Sequence, residues 1–300
     1  MKKVWMVTGA SRGIGLALCR FLLDAGRSVV ATARNPDDLH KKLRQNGERF
    51  LILPLDITDQ TQVDEAVDKA IGHFGNIDVL VNNAGYGQMG WFENISAAQI
   101  EQQFRTNVFG SMNVTRAVLP HLRAQGSGQI FTLSDVAGLS ARAGNSVYAA
   151  SKFALEGWME GLAAELLSLN IHATLIEPGS FRTDFLDDSS LVYGEHDIAA
   201  YQAAEAACKQ WQQELNHQQV GDPNRLAAIL MQLAEDEHPP VRFAAGSDAA
   251  EAVIKKANAL NRNAQEWLSV SSSPTVLFKP YWSLQAAYVP IGQHWRLVGF

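Results

Sequence analysis

Tyr148 and Lys152 close a stretch that opens with Ser134-Asp135-Val136-Ala137-Gly138 and ends Tyr148-Ala149-Ala150-Ser151-Lys152. On a helix of 3.6 residues per turn, a tyrosine and a lysine four apart share a face. An ammonium beside a phenol favours the phenolate, so the spacing predicts a tyrosine whose pKa is lowered and which exchanges a proton near neutrality. Tyr-x-x-x-Lys by itself is also an ordinary surface pair on a helix. Its chemistry depends on what the preceding chain places in front of it.

The upstream elements supply a phosphate site. Val4 to Val7 is a short apolar run closing on Thr8-Gly9 and reads as a buried strand. Gly9-x-x-x-Gly13-x-Gly15 follows, and Leu16 to Ala25 carries a helical apolar face ended by Gly26. Glycines admit a pyrophosphate close to the backbone, and a helix N-terminus offers free N–H groups with a partial positive charge. The spacing departs from Gly-x-Gly-x-x-Gly, so its place directly after the first strand carries the reading. Ser28 to Ala33 forms the second strand, and an NAD site puts an acidic residue near its end for the ribose 2′-hydroxyl. This chain has Arg34 there, with Arg12 inside the glycine turn. Two guanidinium groups suit a 2′-phosphate, which favours NADP(H) over NAD(H). The other reading of Arg34 is a solvated loop cation.

Phe50 to Leu55 is the third strand, closing on Asp56-Ile57, a hydrogen-bond and contact pair for an adenine ring. Thr58 is the expected cap of the next helix. Ile77 to Val81, the fourth strand, runs into Asn82-Asn83-Ala84-Gly85, small residues that let a cofactor lie across the strand ends. Ser96 starts a long amphipathic helix with Asn107 near its middle, where an interior Asn is mildly unfavourable. An ordinary polar contact and a water-holding role are equally open for it. Gln129 to Leu133 is a strand leading to Ser134. Tyr148 to Leu167 is the helix of the Tyr/Lys pair, with Gly157 and Gly161 spaced for close packing. His172 to Ile176 is a further strand before Glu177-Pro178-Gly179-Ser180-Phe181-Arg182-Thr183. Strands alternating with helices in this way predict an α/β fold with a parallel sheet covered on both faces.

Bulk properties narrow the function classes. Apolar residues make up 47% of the chain, ample for a core, and the net charge of −6 leaves no basic stripe to neutralise nucleic-acid phosphates. No run of about 18 apolar residues exists, which excludes a spanning helix. Cys19 and Cys208 stand in no metal or redox spacing and fit a reducing compartment. Met1-Lys2-Lys3 enters a strand pattern at once with no leader signature, so a cytoplasmic protein without a metal is expected.

In this order the motifs resemble the short-chain dehydrogenase/reductase family, of the type with an Asn, Ser, Tyr and Lys tetrad. The matching residues are Thr8-Gly9-Ala10-Ser11-Arg12-Gly13-Ile14-Gly15, Asp56, Asn82-Asn83-Ala84-Gly85, Asn107, Tyr148 to Lys152, and Pro178-Gly179 with Thr183. The stretches around Tyr86-Gly87 and residues 177–183 are similar to bacterial oxidoreductases related to the retinol and 17β-hydroxysteroid dehydrogenases. The resemblance implies a single Rossmann-fold domain over 1–270, a doubly wound seven-stranded parallel sheet with the cofactor across its carboxyl ends. It also implies roles. Tyr148 protonates the carbonyl oxygen as hydride leaves the nicotinamide, and Lys152 lowers the Tyr148 pKa and binds the nicotinamide ribose. Asn107 holds a water in a relay to Lys152, while Thr183 and the backbone near Phe181 hold the carboxamide or pyrophosphate.

One position departs from the family. The tetrad's serine usually stands thirteen residues before the tyrosine, where this chain has Asp135, and Ser134 comes one residue early. In extended chain, neighbouring side chains point to opposite faces, so Ser134 does not simply substitute. An ionised Asp135 opposes phenolate formation and repels a developing alkoxide. A protonated one donates the bond that serine gives. A third option pairs Asp135 with Lys152 or with a cationic substrate group. The favoured reading is an active reductase or alcohol dehydrogenase for an apolar or aromatic carbonyl or alcohol. The alternative is an NADP(H)-binding regulatory or scaffold protein weakened by Asp135.

On the substrate side, 184–221 reads as a largely helical lid carrying Phe185, Leu186, Leu191, Val192, Tyr193 and Tyr201, with Met89, Trp91 and Phe92 on the opposite wall. Asp222-Pro223 starts a helix, Val241 to Ala245 is the last strand, and Asp248 to Leu268 a terminal helix. Ser271-Ser272-Ser273-Pro274 reads as a linker to an aromatic extension, 271–300, containing Phe278, Tyr281, Trp282, Tyr288, Trp295 and Phe300. So aromatic a tail packs on something: its own domain, a partner subunit of a homo-oligomer, or the lid, with membrane association the weaker option.

Overall fold

Strands buried on both faces need unbroken apolar runs, and the computed structural model, which describes residues 3–43, 47–273, 288–291 and 294–297, places such runs in the centre of one sheet. In chain order the strands are β1 (Val4–Val7), β2 (Ser28–Ala33), β3 (Phe50–Pro54), β4 (Val79–Asn82), β5 (Gly87–Met89), β6 (Gly128–Leu133), β7 (Ile171–Pro178), β8 (Leu191–Tyr193) and β9 (Arg242–Ala245). The helices are α1 (Gly13–Asp24), α2 (Pro36–Leu43), α3 (Gln60–Phe74), α4 (Ala97–Phe104), α5 (Ser111–Gln125), α6 (Ser146–Leu166), α7 (Gln202–Leu215), α8 (Pro223–Glu235), α9 (Ser247–Glu266) and the short α10 (Leu268–Ser272).

Seven strands pair in the order β3-β2-β1-β4-β6-β7-β9, all parallel, which is the doubly wound arrangement. Side chains alternate across the sheet with the two-residue period of a strand. Trp5 and Val7 join Val29, Ala31, Phe131 and Ile176 in the core under α1 and α8. Val4 and Met6 join Val30, Leu80, Ile130 and Leu175 in the core under α3, α5 and α6. The strand order reverses between β1 and β4, and the crevice beyond their carboxyl ends is where such a fold binds ligands.

The chain divides into two units, Met1–Val253 and Ile254–Phe300. In the second, the backbones of Tyr288–Ile291 and His294–Leu297 pair antiparallel. The rest of the aromatic extension, including Phe278, Tyr281, Trp282 and Phe300, lies outside the described residues, as does Pro274 of the expected linker. Ser271 and Ser272 close α10 rather than a linker. No helix of the described residues is long and apolar enough to cross a membrane.

Local expectations fail in four further places. The expected long helix from Ser96 is two helices: Ser96 caps α4 with a full capping box, and residues Arg105–Gly110 form a π-helical turn before α5. Thr58 does not cap α3. Asp59 does, accepting from the Thr61 and Gln62 N–H groups, while Thr58 donates to Asp56 Oδ1 at 2.8 Å. Gly157 and Gly161 face open space, so close packing is not their reason. The lid segment is helical only over a 3-10 turn at Asp184–Leu186 and over α7, while Leu191–Tyr193 pairs with Gly87–Met89 as a parallel two-stranded ribbon.

Candidate active site

The glycine turn and the end of β4 lock onto each other through the backbone. Thr8 Oγ1 accepts from the N–H groups of Asn83 (3.0 Å) and Ala84 (3.1 Å), and Asn83 Nδ2 donates to the carbonyls of Thr8 and Gly9. The fit leaves no room for side chains. A Cβ on Gly9, whose φ is +63°, would stand 2.7 Å from Ala84 Cα, and one on Gly15 would overlap Asn83 Nδ2. α1 then starts with Arg12 in extended backbone and no side-chain cap, leaving its first N–H groups unused by any capping side chain. Thr183 faces Gly13 across the cleft. Thr183 Oγ1 accepts from the Phe185 N–H, starting the turn toward the lid.

Arg12 is part-buried with its pKa lowered, first by burial and then by repulsion from Arg34, with Asp184 and Asp187 offsetting part of the cost. Two mutually repelling guanidinium groups beside an uncapped helix N-terminus are a surface suited to phosphate. Asp56 holds Thr58 and so shapes the start of α3. Ile57 is buried, its side chain laid on the bare Cα of Gly110. Ser180 N–H donates to Asp248 Oδ2 at 2.7 Å, fixing the loop after Pro178-Gly179, and Asp248 is a contact that no motif announced.

Asn107 sits in the π-helical turn, an insertion that recurs at functional sites. Its Nδ2 donates to Tyr86 O (3.0 Å) and Ser151 Oγ (3.3 Å), and its Oδ1 accepts from Tyr86 N (3.1 Å). Both amide hydrogens are therefore engaged and one lone pair of Oδ1 remains. Ser151, fully buried, donates in turn to Tyr148 O at 2.7 Å and ties the turn to α6.

Tyr148, Lys152 and Asp135 meet above the ends of β6 and β7. Tyr148 O–H donates to Asp135 Oδ2 at 2.9 Å, and Asp135 Oδ1 accepts from Ala137 N at 2.7 Å. Lys152 Nζ donates to Leu133 O at 2.7 Å and lies 5.7 Å from the centre of the Tyr148 ring. Sheet pairing persists through Ser134, whose N–H donates to Ile176 O, and Asp135 is itself extended, so the two side chains diverge as alternation requires. Ser134 Oγ is buried with no hydrogen-bond partner.

The electrostatics correct the expectation of a lowered tyrosine. Burial, and after it the Asp135 charge, push the Tyr148 phenol well above its ordinary value. The ammonium is committed to a backbone carbonyl, whereas the carboxyl is in direct contact. Burial likewise raises Asp135, against the pull of Ala137 N–H and Lys152. Lys152 is pushed down to about 8 by burial, with Asp135 and Glu156 supporting its charge.

An apolar wall closes on the phenol. Met89, Ala137, Ala149 and Leu191 are buried with Tyr148, and Phe185, Leu186 and Tyr193 pack against them, the Phe185 ring 5.7 Å from that of Tyr148. Of the other wall candidates, Phe92 and Val192 are exposed, and Trp91 stacks on Tyr201.

The chain matches the short chain dehydrogenase family over residues 3–193. It is 37% identical over 272 residues to "Oxidoreductase BOA17" of Botryotinia fuckeliana, covering 90% of this chain and 98% of that protein. It is 40% identical over 190 residues to "Retinol dehydrogenase 8" of Bos taurus, covering 60% of this chain and 59% of the relative. A crystal structure of a short-chain dehydrogenase from Streptomyces avermitilis superposes with a TM-score of 0.85 at 34% identity, over 92% of this chain and all of the other.

Proposed function

This chain belongs to the short-chain dehydrogenase/reductase family of oxidoreductases, and from that premise we propose that it moves hydride between NADP(H) and an apolar or aromatic carbonyl or alcohol, with Tyr148 as general acid and base. The observation that carries the reading is the Tyr148 hydroxyl bonded to Asp135 and enclosed by Met89, Leu191 and Phe185. The dinucleotide supplies the hydride. Gly9, Ser11, Gly13, Ile14 and Gly15 would hold its pyrophosphate at the uncapped start of α1, and Arg12 and Arg34 its 2′-phosphate. Asp56 and Ile57 would flank its adenine, Asn83, Ala84 and Gly85 would lie under it, and Pro178, Gly179, Phe181 and Thr183 would hold the carboxamide end.

A phenol with a raised pKa stays protonated, which suits donation to an oxygen that is becoming an alkoxide. Asp135 in its neutral form, made accessible by burial, donates a second hydrogen bond to that oxygen. Its ionised form would repel the same charge. Lys152 orients the ribose beside Tyr148. The free lone pair of Asn107 Oδ1 is the point at which a relay water would be held. Segment 184–221 acts as the lid, and a cytoplasmic location is the reading that the free cysteines Cys19 and Cys208 support.

The test is NADPH oxidation against a panel of apolar and aromatic ketones and aldehydes, with NADH alongside and Arg34→Ala as the cofactor variant. Turnover with an NADPH preference that Arg34→Ala reduces is the expected result. NADPH binding without turnover on any substrate would favour a nucleotide carrier, and a wild-type NADH preference would overturn the cofactor assignment.

A further inference from the structure

Behind the phenol, α6 continues as a polar stripe that enzyme chemistry at Tyr148 does not by itself require. Tyr148, Lys152, Glu156 and Glu160 recur every four residues on one face. Glu156 is buried, and so is Glu177 at the end of β7. Arg242 on β9 spans the cluster: its Nε donates to Glu156 Oε2 at 3.2 Å, its Nη2 lies 2.8 Å from Glu160 Oε2, and Glu177 Oε1 lies 3.7 Å from Nε. Glu156 Oε1 and Glu177 Oε1 are both buried and neither accepts a hydrogen bond. Ser134 Oγ, also unpartnered, lies beside the Glu156 carboxyl, the two packed together on Gly138.

Two buried carboxylates left with unpaired oxygens are costly. One proton between them cures the defect, because a protonated carboxyl becomes a donor to its neighbour. The two carboxyl groups converge on one Arg242 nitrogen, Nε, at 3.2 and 3.7 Å. Lys152 gives the arrangement a purpose. Among the described residues its charge is supported by Asp135 and Glu156. If Asp135 is the neutral acid that carbonyl reduction needs, Glu156 is the counter-charge that remains.

We propose that Glu156 and Glu177 share a single proton and act as positioning residues, Glu177 keeping Glu156 ionised so that Glu156 holds Lys152 as an ammonium behind Tyr148. The proposal deepens the reading of Tyr148 and Lys152 and rests on it for its function. The charged and titratable groups facing the pair are Lys152 and Glu160 along α6 and Arg242 from β9, with Asp135 beyond Lys152; Ser134, directly after β6, adds its hydroxyl. Burial and the Glu156 charge push Glu177 up to about 7, in the range where one shared proton is held at neutral pH.

Two readouts test it. In the resting protein, carbon-13 NMR of labelled glutamate carboxyls should show one group titrating near neutrality, and Glu177→Gln should abolish that titration. Nitrogen-15 NMR should show the Lys152 amine titrating about one pH unit lower in Glu156→Gln. In turnover, the alkaline limb of the pH profile of kcat/KM should fall by a similar amount in Glu156→Gln. It should hold its wild-type position in Glu177→Gln, whose amide still donates to Glu156. A wild-type protein with no glutamate titrating between about pH 6 and 8 would overturn the proposal. So would a Glu156→Gln protein whose Lys152 titration and alkaline limb are unmoved. If Glu156→Gln does not fold, the wild-type and Glu177→Gln titrations still decide. Absence of turnover with any carbonyl would count against the Tyr148 reading, while the resting-state titrations would judge the pair on their own.

Discussion

The glycine cradle at the β1–β4 crevice and the polar stripe of α6 lie at the carboxyl ends of one sheet, and they are built by opposite means. The cradle is made of backbone: Thr8, Asn83 and the bare Cα atoms of Gly9 and Gly15 leave no space for a methyl group. The stripe, with the acids packed on it from outside α6, is made of charge taken out of water: Asp135, Tyr148, Lys152, Glu156 and Glu177 each have a pKa displaced first of all by burial. Steric sites fail all at once and without regard to pH. Electrostatic sites fail by degrees, and their failures move with pH.

The largest effect should come from the stripe. Tyr148→Phe removes the proton donor while leaving the ring against Phe185, so kcat/KM should fall by about 1000-fold or more with dinucleotide affinity retained. Steady-state kinetics with a dinucleotide titration measures both. A loss under tenfold would move proton donation elsewhere. Next is the cradle. Gly9→Ala forces a side chain into a left-handed conformation and onto Ala84, costing about 1–3 kcal/mol of stability. Thermal unfolding should show that loss equally at pH 6 and pH 8, and any marked pH dependence would blur the division between the two regions.

How much of each region can be read from the chain follows from the same contrast. Gly9, Gly13 and Gly15 stand at fixed offsets from an apolar run, and parallel pairing turns those offsets directly into geometry, so β1, β2 and the sheet around them are legible from residue types alone. The π-helical turn at Asn107 is not, because one extra residue in a turn changes no periodicity enough to be seen. Nor is the ribbon of Leu191–Tyr193 with Gly87–Met89, whose partner lies a hundred residues away. The Tyr148 pKa is not legible for a physical reason: spacing shows that Lys152 shares the face, but not that Lys152 Nζ donates to Leu133 O or that the Asp135 carboxyl is the group in contact with the phenol. Glu156 and Glu177 look like surface acids until the fold closes over them.

Asp135→Ser sharpens the comparison inside the stripe. The neutral acid is lost as pH rises through the raised Asp135 pKa, so wild-type reduction should weaken with rising pH, whereas a serine hydroxyl donates at every pH. Asp135→Ser should therefore gain about tenfold in kcat/KM at high pH relative to low pH, compared with wild type. Burial would still raise Tyr148, and the same change removes the smaller push that the Asp135 charge adds. A profile and rate identical to wild type would show that Asp135 has no part in the reaction.

Ser134→Ala should do least, and its smallness is informative. The family's serine is an attractive identity for Ser134, one residue away from the usual position, but strand pairing through Ile176 O turns its hydroxyl from Tyr148 toward Glu156. That hydroxyl has no hydrogen-bond partner, so removing it forfeits no formed bond and relieves a buried polar atom. Stability should stay within about 0.5 kcal/mol of wild type and kcat/KM within about twofold at the pH optimum. A tenfold loss at the optimum would mean that strand alternation breaks at Asp135 in the working enzyme, and that the residue one position early donates to the substrate after all.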